Sequence, residues 1–328
     1  MKTRRFSILS LAASGLALVT ALLAASCVVD DKTTATPPGE TDTVVRPVYG
    51  RFQVTLVEET AFDDAYASVL GRVTTGTTPS TLQWDTATVS GACKLLIPRA
   101  PFCETPCGSG AACVADGVCR VYPAGLNVGT VTMTGVKTTT GATSFTMQPV
   151  FSNYQPVGIT LDYPPFTEGA EVSVAIAHDS VGSFALKAKG IAPLNALYDS
   201  VVFADNQPVT LTWTPPSAGA AGNSTVSARF DISHHGGVKG VIECEAADNG
   251  SLTVAAGLVT QLKGLGISGF PTVELSRHSA SPARTDMSLE LRIESTVTRP
   301  ISIPGIVSCS GDEDCPNGQT CQQDLKCQ

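Results

Sequence analysis

Cysteines are the residues of this chain with the greatest potential for chemistry, and the sequence contains 11 of them. Five lie between Cys93 and Cys119, four repeat at every sixth position from Cys309 to Cys327, and Cys244 stands alone between these groups. Zinc ligands usually lie about two to four residues apart, so these spacings are loose for a metal site. Cysteines at this density are typical of small modules in which disulfides replace a hydrophobic core. We therefore expect crosslinks rather than metal ligands, provided that the chain leaves the cytoplasm.

One glycine motif resembles a nucleotide-binding fingerprint. Residues Gly264 to Gly269 match G-x-G-x-x-G letter for letter. The motif binds a pyrophosphate only when a strand precedes it and a helix follows it, because the helix N-terminus receives the phosphates. Here a helical pattern, Leu258 to Leu265, precedes the glycines, and Pro271 argues against a following helix. We interpret the motif as a glycine-rich end of a helix.

Three polar clusters have the residue types of catalytic or metal sites but not their spacing. His234 and His235 are adjacent, so on a strand they would point to opposite faces, and we predict a polar loop. The run His178 to Ser180 has the letters of a hydrolase triad, yet contiguous residues cannot converge as nucleophile, base and orienter. The run Asp312 to Asp314 lacks EF-hand spacing and predicts an acidic turn. The sequence therefore predicts no catalytic residue, no metal site and no cofactor.

The N-terminus has the order of a secretory signal peptide. Lys2, Arg4 and Arg5 precede an apolar run from Ile8 to Ala25 that small and weakly polar residues interrupt. An apolar stretch of about 18 residues also raises the alternative of a transmembrane helix. Removal of this cationic segment takes the formal net charge from −8 to −11. An acidic chain repels phosphate backbones, so we expect no nucleic-acid partner.

The end of this segment, Leu23-Ala24-Ala25-Ser26-Cys27, resembles the lipobox of bacterial lipoproteins. In that family the cysteine thiol receives a diacylglycerol and becomes the new N-terminus. The resemblance implies that Cys27 is lipidated and that the protein is held at the bacterial envelope, at the outer membrane or the cell surface, with its membrane contact through the lipid. The alternative is an ordinary signal peptide that ends near a cysteine.

The remaining sequence predicts strands. Phe52, Val54 and Leu56 alternate with more polar residues, and similar short segments recur as far as Met287 to Thr296, separated by turn residues. This rhythm predicts an all-β fold of one or two packed sandwiches with two small disulfide-rich knots and at most one short helix. Asp248-Asn249-Gly250 predicts a tight hairpin turn. The expected divisions are a signal peptide (1–26), a lipidated cysteine with a flexible tether (27–47), a β-rich body (48–307) with a Cys-rich insert (93–123), and a C-terminal knot (308–328).

The pairing of the cysteines follows in part from their grouping. If each knot closes its last four cysteines locally, Cys93 is left with Cys244 as its only free partner. Three connectivities remain open within each group of four. We favour first to third and second to fourth, as in many small repeat knots. The favoured bridges are Cys103 with Cys113, Cys107 with Cys119, Cys309 with Cys321, and Cys315 with Cys327.

Six further stretches carry a resemblance to a known group: Gly91 to Arg99, Pro101 to Cys103, Val121 to Pro123, Val128 to Gly135, Tyr163 to Gly169, and Gly269 to Thr272. They resemble uncharacterised secreted lipoproteins of large-genome bacteria, in which a Cys-rich knot precedes a β-sandwich region. The resemblance implies location and build but no activity. We expect a non-catalytic, lipid-anchored binding or scaffolding protein with a glycan or protein partner. Carbohydrate recognition and hydrolysis of an extracellular or cell-wall polymer are the alternatives.

Overall fold

The computed structural model describes residues 48–60, 63–178, 182–282 and 287–328. The expected signal peptide, Cys27 and the tether lie outside this range. The described residues form 19 strands, one α-helix, α1 (Ala256–Gly264), and two 3₁₀ helices, Asp312–Asp314 and Pro316–Gly318. The strands are β1 (Tyr49–Val57), β2 (Tyr66–Thr74), β3 (Gln83–Ser90), β4 (Cys93–Arg99), β5 (Ala111–Ala115), β6 (Val118–Val121), β7 (Val131–Thr134), β8 (Ser144–Met147), β9 (Pro149–Val150), β10 (Asn153–Tyr154), β11 (Glu171–His178), β12 (Gly182–Lys189), β13 (Val201–Val202), β14 (Val209–Thr212), β15 (Thr225–Asp231), β16 (Val241–Ala247), β17 (Ser251–Val254), β18 (Thr272–Ala280) and β19 (Ser288–Ser302).

One large sheet organises the fold. Its strand order is β3-β4-β16-β15-β18-β19-β1-β2-β10-β9, and β13 pairs with β19 beside this path. The pairing of β1 with β19 is parallel, although 239 positions separate Arg51 from its neighbour Glu290. A four-stranded sheet has the order β12-β11-β7-β8, and β14–β17 and β5–β6 form two-stranded ribbons. The all-β prediction is confirmed, and α1 is the single α-helix of the described residues.

The first hydrophobic core lies between the large sheet and the four-stranded sheet. Phe52, Val54 and Leu56 of β1 are buried, while the residues between them are partly exposed, as strand alternation requires. They belong to the same buried cluster as Val174 of β11 and Met133 of β7. The alternating sequence of β1 therefore forms one inner face of a sandwich.

The second core lies under the other half of the large sheet. Phe230 of β15 and Leu275 of β18 belong to a buried cluster with Leu211 of β14 and Leu258 of α1. Strand β19 serves both cores: Leu289, Leu291 and Ile293 belong to the first, whereas Val297 and Ile301 belong to the second. The body from 48 onward is thus two packed cores that share one continuous sheet.

A buried ion pair lies where the two cores meet. Arg277 Nε is 2.6 Å from Asp248 Oδ2, and the two side chains are 1% and 0% exposed. Trp213 Nε1 donates to Asp248 Oδ1 at 2.6 Å, and the Ser224 hydroxyl donates to Oδ2 at 2.7 Å. Charged groups this deeply buried are tolerated only when they are paired and hydrogen-bonded, and both conditions are met here.

The hairpin predicted at Asp248-Asn249-Gly250 is wrong. The turn forms, with Gly250 at φ 96°, but the strands on its two sides do not pair with each other. Strand β16 pairs with β15 and β4, whereas β17 pairs with β14 in a separate ribbon. Because Asp248 turns inward to meet Arg277, the chain leaves the large sheet at this point instead of folding back along it.

The disulfides follow the pairing expected from the sequence. Cys93 on β4 is bonded to Cys244 on β16, its direct neighbour across the two strands, and both side chains lie in the second core. In each knot the first cysteine pairs with the third and the second with the fourth. These bridges are Cys103–Cys113, Cys107–Cys119, Cys309–Cys321 and Cys315–Cys327.

Candidate functional site

A groove of about 530 Å³ crosses the outer face of the large sheet where β4, β16, β15 and β18 lie side by side. Strand alternation explains its polarity, because the neighbouring residues of the same strands point into the second core. Leu95, Ile242 and Phe230, for example, are buried. The charged residues that line the groove are Lys94, Arg229, Glu243, Glu245 and Glu274.

Four of these residues form one row across four strands. Lys94 faces Glu243, Glu243 faces Arg229, and Arg229 faces Glu274, so the charges alternate in sign. Lys94 Nζ lies 3.5 Å from Glu243 Oε2, and Arg229 NH1 lies 2.6 Å from Glu243 Oε1. Opposite charges on neighbouring strands stabilise the sheet modestly, by about 0.2–1 kcal/mol per pair. Both cations thus share Glu243, and neither Glu245 nor Glu274 pairs with a described lysine or arginine.

An aromatic side chain borders this row. The guanidinium carbon of Arg229 lies 5.1 Å from the ring centroid of Trp84 on β3, which is a cation–π contact. Trp84 is partly exposed. The contact and the ion pair to Glu243 hold Arg229 in place from two sides. A fixed guanidinium and an indole therefore border a groove that is also lined by Glu245 and Glu274, which pair with no described lysine or arginine. Such a set can offer hydrogen bonds in fixed directions and an apolar ring surface to a polyhydroxylated ligand.

The polar face continues to a buried histidine. His278 Nε2 lies 2.9 Å from the Thr225 hydroxyl and 3.7 Å from Glu245 Oε1. Among the described residues, nothing forms a hydrogen bond with His278 Nδ1. Burial, followed by the charge of Arg292, holds the pKa of His278 below its ordinary value, and the carboxylates of Glu245 and Glu294 oppose this only in part. The surroundings of His278 therefore favour the uncharged imidazole.

This cluster does not have the geometry of a hydrolase relay. In a triad the base receives the nucleophile on one ring nitrogen and an orienting carboxylate on the other. Here Thr225 and Glu245 both approach Nε2, and no carboxylate of the described residues hydrogen-bonds to Nδ1. The cluster can hold His278 in place, but within the described parts of the chain it has no carboxylate that orients the imidazole as a base.

The glycine motif has a structural role. Helix α1 precedes it and no helix follows, as the sequence predicts. Gly269 has φ 62°, and a Cβ at this position would lie 1.9 Å from the His234 carbonyl oxygen. Its N–H donates to the Asp324 carbonyl at 2.8 Å and its carbonyl accepts from the Ser308 hydroxyl at 2.7 Å. The motif thus provides a close contact between the body and the C-terminal knot.

The other polar clusters lie in a turn, in a short helix and at a strand end. The run Asp312–Asp314, predicted as an acidic turn, forms a 3₁₀ helix. His234 and His235 lie in a turn, as predicted, with His235 at φ 64°. Asp312 accepts the Cys321 N–H, and Asp314 accepts the N–H groups of Ser310 and Gly311. His178 ends β11, and Asp179 and Ser180 lie outside the described residues.

The cysteines of the knots offer no thiolate for a metal. Two groups of three sulfurs lie within 4.8 Å of one another, which is close enough for metal ligands. Every one of these sulfurs is in a disulfide, so their proximity reflects the crosslinks. The groups are Cys103, Cys107 and Cys119, and Cys309, Cys315 and Cys327.

Six aromatic residues of types that can stack on sugars lie in different parts of the fold: Trp84, Phe102, Tyr122, Tyr163, Phe166 and Trp213. Trp213 and Phe166 are buried, and Tyr163 is partly buried. Phe102 and Tyr122 are exposed on the first knot, where their side chains are 72% and 47% exposed. Of the six, only Trp84 contacts the groove, through Arg229. Sequence reasoning missed Lys94, Arg229, Glu243 and Glu274, whose only sequence signal was an outward position on predicted strands.

The fold and groove define a disulfide-crosslinked, all-β protein with a polar groove on its shared sheet. No protein-family model matches the chain, and the comparison with curated proteins found no match. Among solved structures, one similar chain is in the crystal structure of chicken CNTN1 FN1-FN3 domains, at 12% sequence identity, covering 71% of this chain and 69% of that chain with a TM-score of 0.22. None of the helices in the described part of the chain is long and apolar enough to cross a membrane.

Proposed function

We propose that this is a non-catalytic, lipid-anchored protein of the bacterial envelope that binds its ligand in the groove beside Trp84. The charged row on the outer face of the shared sheet carries the proposal, because it fixes Arg229 between Glu243 and Trp84. The five disulfides support export, since such bonds persist in oxidising compartments. The lipobox-like sequence ending at Cys27 supports attachment through an acyl-modified cysteine.

The proposed lipid anchor at Cys27 can be tested with the variant Cys27→Ser. We expect this variant to lose both labelling by a radioactive fatty acid and partitioning into the detergent phase, because its hydroxyl replaces the thiol that the lipid modifies. Stable attachment needs more than one acyl chain, each buried CH₂ contributing about 0.8 kcal/mol. The matched control is Ser26→Ala, which changes the neighbouring residue and keeps the thiol. Labelling of the Cys27→Ser chain at the parent level would refute the anchor.

Carbohydrate is the ligand class that the groove favours. Trp84 offers an aromatic surface, and the carboxylates of Glu245 and Glu274 and the guanidinium of Arg229 offer acceptors and donors for hydroxyl groups. A protein partner is the competing possibility within the same function. A hydrolase has weaker support, since the described residues provide no orienting partner for His278 Nδ1.

If the groove binds glycans, Trp84 and Arg229 should contribute much of the free energy of binding. On a glycan array, we expect saturable binding by the parent chain and at least about a tenfold loss in the Trp84→Ala variant, because truncated aromatic anchors at buried contacts often cost about 2 kcal/mol or more. The Arg229→Gln variant should lose affinity as well. Phe102→Ala is the matched control, since it removes an exposed aromatic side chain from the first knot. An array without binding, or equal losses in Trp84→Ala and Phe102→Ala, would remove carbohydrate as the ligand.

A further inference from the structure

A second row of polar side chains crosses the other half of the large sheet, on β19, β1, β2 and β10. Glu290 faces Arg51, Arg51 faces Arg72, and Arg72 faces Asn153. Arg51 Nε donates to Glu290 Oε2 at 2.8 Å. Arg72 is exposed and has no carboxylate partner among the described residues. The row therefore holds two guanidinium groups side by side and one carboxylate.

This arrangement differs from the row in the first groove. There the charges alternate from Lys94 to Glu274, so that each cation faces an anion. Between Arg51 and Arg72 two like charges face each other, which destabilises an antiparallel pair. The chain as a whole is acidic, with a formal net charge of −8. Arg51 and Arg72 thus form a local excess of positive charge that costs stability. A bound anion would neutralise this charge, so the pair indicates an anion-binding site.

The surroundings suit a small anion. Glu290, Arg51 and Arg72 of this row line a groove of about 400 Å³. Glu290 is the only carboxylate among the described lining residues, and it already pairs with Arg51. The groove wall also carries hydroxyl groups, and Asn153 adds amide donors at the end of the row. Guanidinium groups recognise oxyanions with two parallel N–H···O bonds. The hydroxyl-bearing residues of the wall are Tyr49, Thr74, Thr77, Thr78 and Ser288.

We propose that the groove between Arg51 and Arg72 binds a phosphate-type oxyanion, with Arg72 as its principal contact. The phosphate is either free in solution or part of an anionic lipid headgroup. The groove includes Tyr49, the first residue of β1. This site is separate from the proposed glycan groove, and its test does not depend on the ligand of that groove.

The test uses the mature chain with Cys27→Ser, so that no acyl chain contributes to membrane binding. One arm titrates inorganic phosphate by calorimetry at constant ionic strength, with chloride as the reference salt. The other arm measures co-sedimentation with phosphatidylglycerol vesicles, with phosphatidylcholine vesicles as the reference. Each arm compares the parent with Arg72→Gln and with Arg120→Gln. Arg120 is a matched control because it is an exposed arginine on β6 of the first knot, and no described carboxylate pairs with it.

We expect Arg72→Gln to bind phosphate about tenfold or more weakly than the parent, since it loses charge-assisted hydrogen bonds, while Arg120→Gln binds like the parent. The melting temperature of Arg72→Gln should be no lower than that of the parent, because a like-charge contact is relieved, and this separates lost binding from unfolding. Loss confined to the phosphatidylglycerol arm identifies a lipid headgroup as the source. Absence of saturable binding in both arms, or equal losses in Arg72→Gln and Arg120→Gln, overturns the site.

Discussion

We expect Arg277→Met to lower the free energy of unfolding by about 3–5 kcal/mol, because the substitution leaves the Asp248 carboxylate buried without its cation. Arg277 is 1% exposed and Asp248 is 0% exposed in the side chain, so water cannot compensate for the missing partner. Urea denaturation followed by tryptophan fluorescence measures the effect, and Trp213 reports on the same cluster because its Nε1 donates to Asp248.

The expected loss of stability is large because Arg277 also donates hydrogen bonds to three backbone carbonyls. Its NH2 group donates to the Thr214 carbonyl at 2.6 Å and to Asp248 Oδ1 at 3.1 Å. Its NH1 group donates to the carbonyls of Ala192 and Pro193 at 3.3 and 3.4 Å. The segment that contains these carbonyls runs from one core to the other, since Ile191 belongs to the first core and Leu194 to the second. One guanidinium therefore satisfies backbone acceptors at the place where the two cores join.

Two comparisons test this explanation. Arg99→Met removes a guanidinium that lies 3.1 Å from Asp116 at the surface, and its loss should stay within about 1 kcal/mol. The double variant Arg277→Met/Asp248→Leu should lose less than the sum of the two single losses, because it leaves no unpaired charge. Equal losses in Arg277→Met and Arg99→Met would contradict the assigned role of the buried pair.

The same cluster predicts part of the acid sensitivity of the fold. Burial would raise the pKa of Asp248, but hydrogen bonds from Arg277, Ser224 and Trp213 outweigh it and hold the pKa below its usual value. The pKa of Asp248 is thus lower in the folded chain than in the unfolded chain, where it is about 3.9. Above the unfolded-state pKa, this carboxylate contributes its full stabilisation. The stabilisation is lost as the pH falls through the folded-state pKa. In Asp248→Asn this acid-dependent part of the stability should be missing.

The second large effect is expected for the double variant Cys93→Ala/Cys244→Ala. The bond joins residues 151 positions apart, so its removal frees a long loop in the unfolded chain. By chain entropy this lowers the free energy of unfolding by about 5 kcal/mol. Substitution of both cysteines avoids a free thiol that would pair wrongly, and thermal and urea denaturation measure the loss.

Removal of a short bridge provides the matched comparison. Cys309 and Cys321 are 12 positions apart, so the chain-entropy loss for their double alanine variant is about 3 kcal/mol. This loss should be confined to the C-terminal knot, with the unfolding of the two cores unchanged. If removal of the long bridge costs no more than removal of the short one, loop length does not set the contribution of the Cys93–Cys244 bond.

Much of the architecture could be predicted from local patterns. The alternation in Phe52, Val54 and Leu56 identifies an inner strand face because side chains on a strand alternate between its two sides. The helical repeat near Leu258 predicts α1, which begins two residues before it, at Ala256. The grouping of the cysteines leads to the pairing of Cys93 with Cys244, since local closure of each knot leaves them no other partner. In each case the information lies in a spacing along the chain.

The candidate grooves depend on tertiary structure. Arg229 and Lys94 meet at Glu243 because β15, β16 and β4 lie side by side, and Arg51 meets Glu290 because β1 pairs in parallel with a strand 239 positions away. The wrong hairpin at Asp248 has the same origin: the turn residues predict a local bend, but a buried contact with Arg277 decides where the next strand goes. The sequence by itself determined which strand residues face the core, where the helix lies and which cysteines can pair. Only the tertiary structure decided which residues face each other on neighbouring strands. Strands that are distant in sequence can pair at the same sheet edge, and no local spacing in the sequence specifies which of them does.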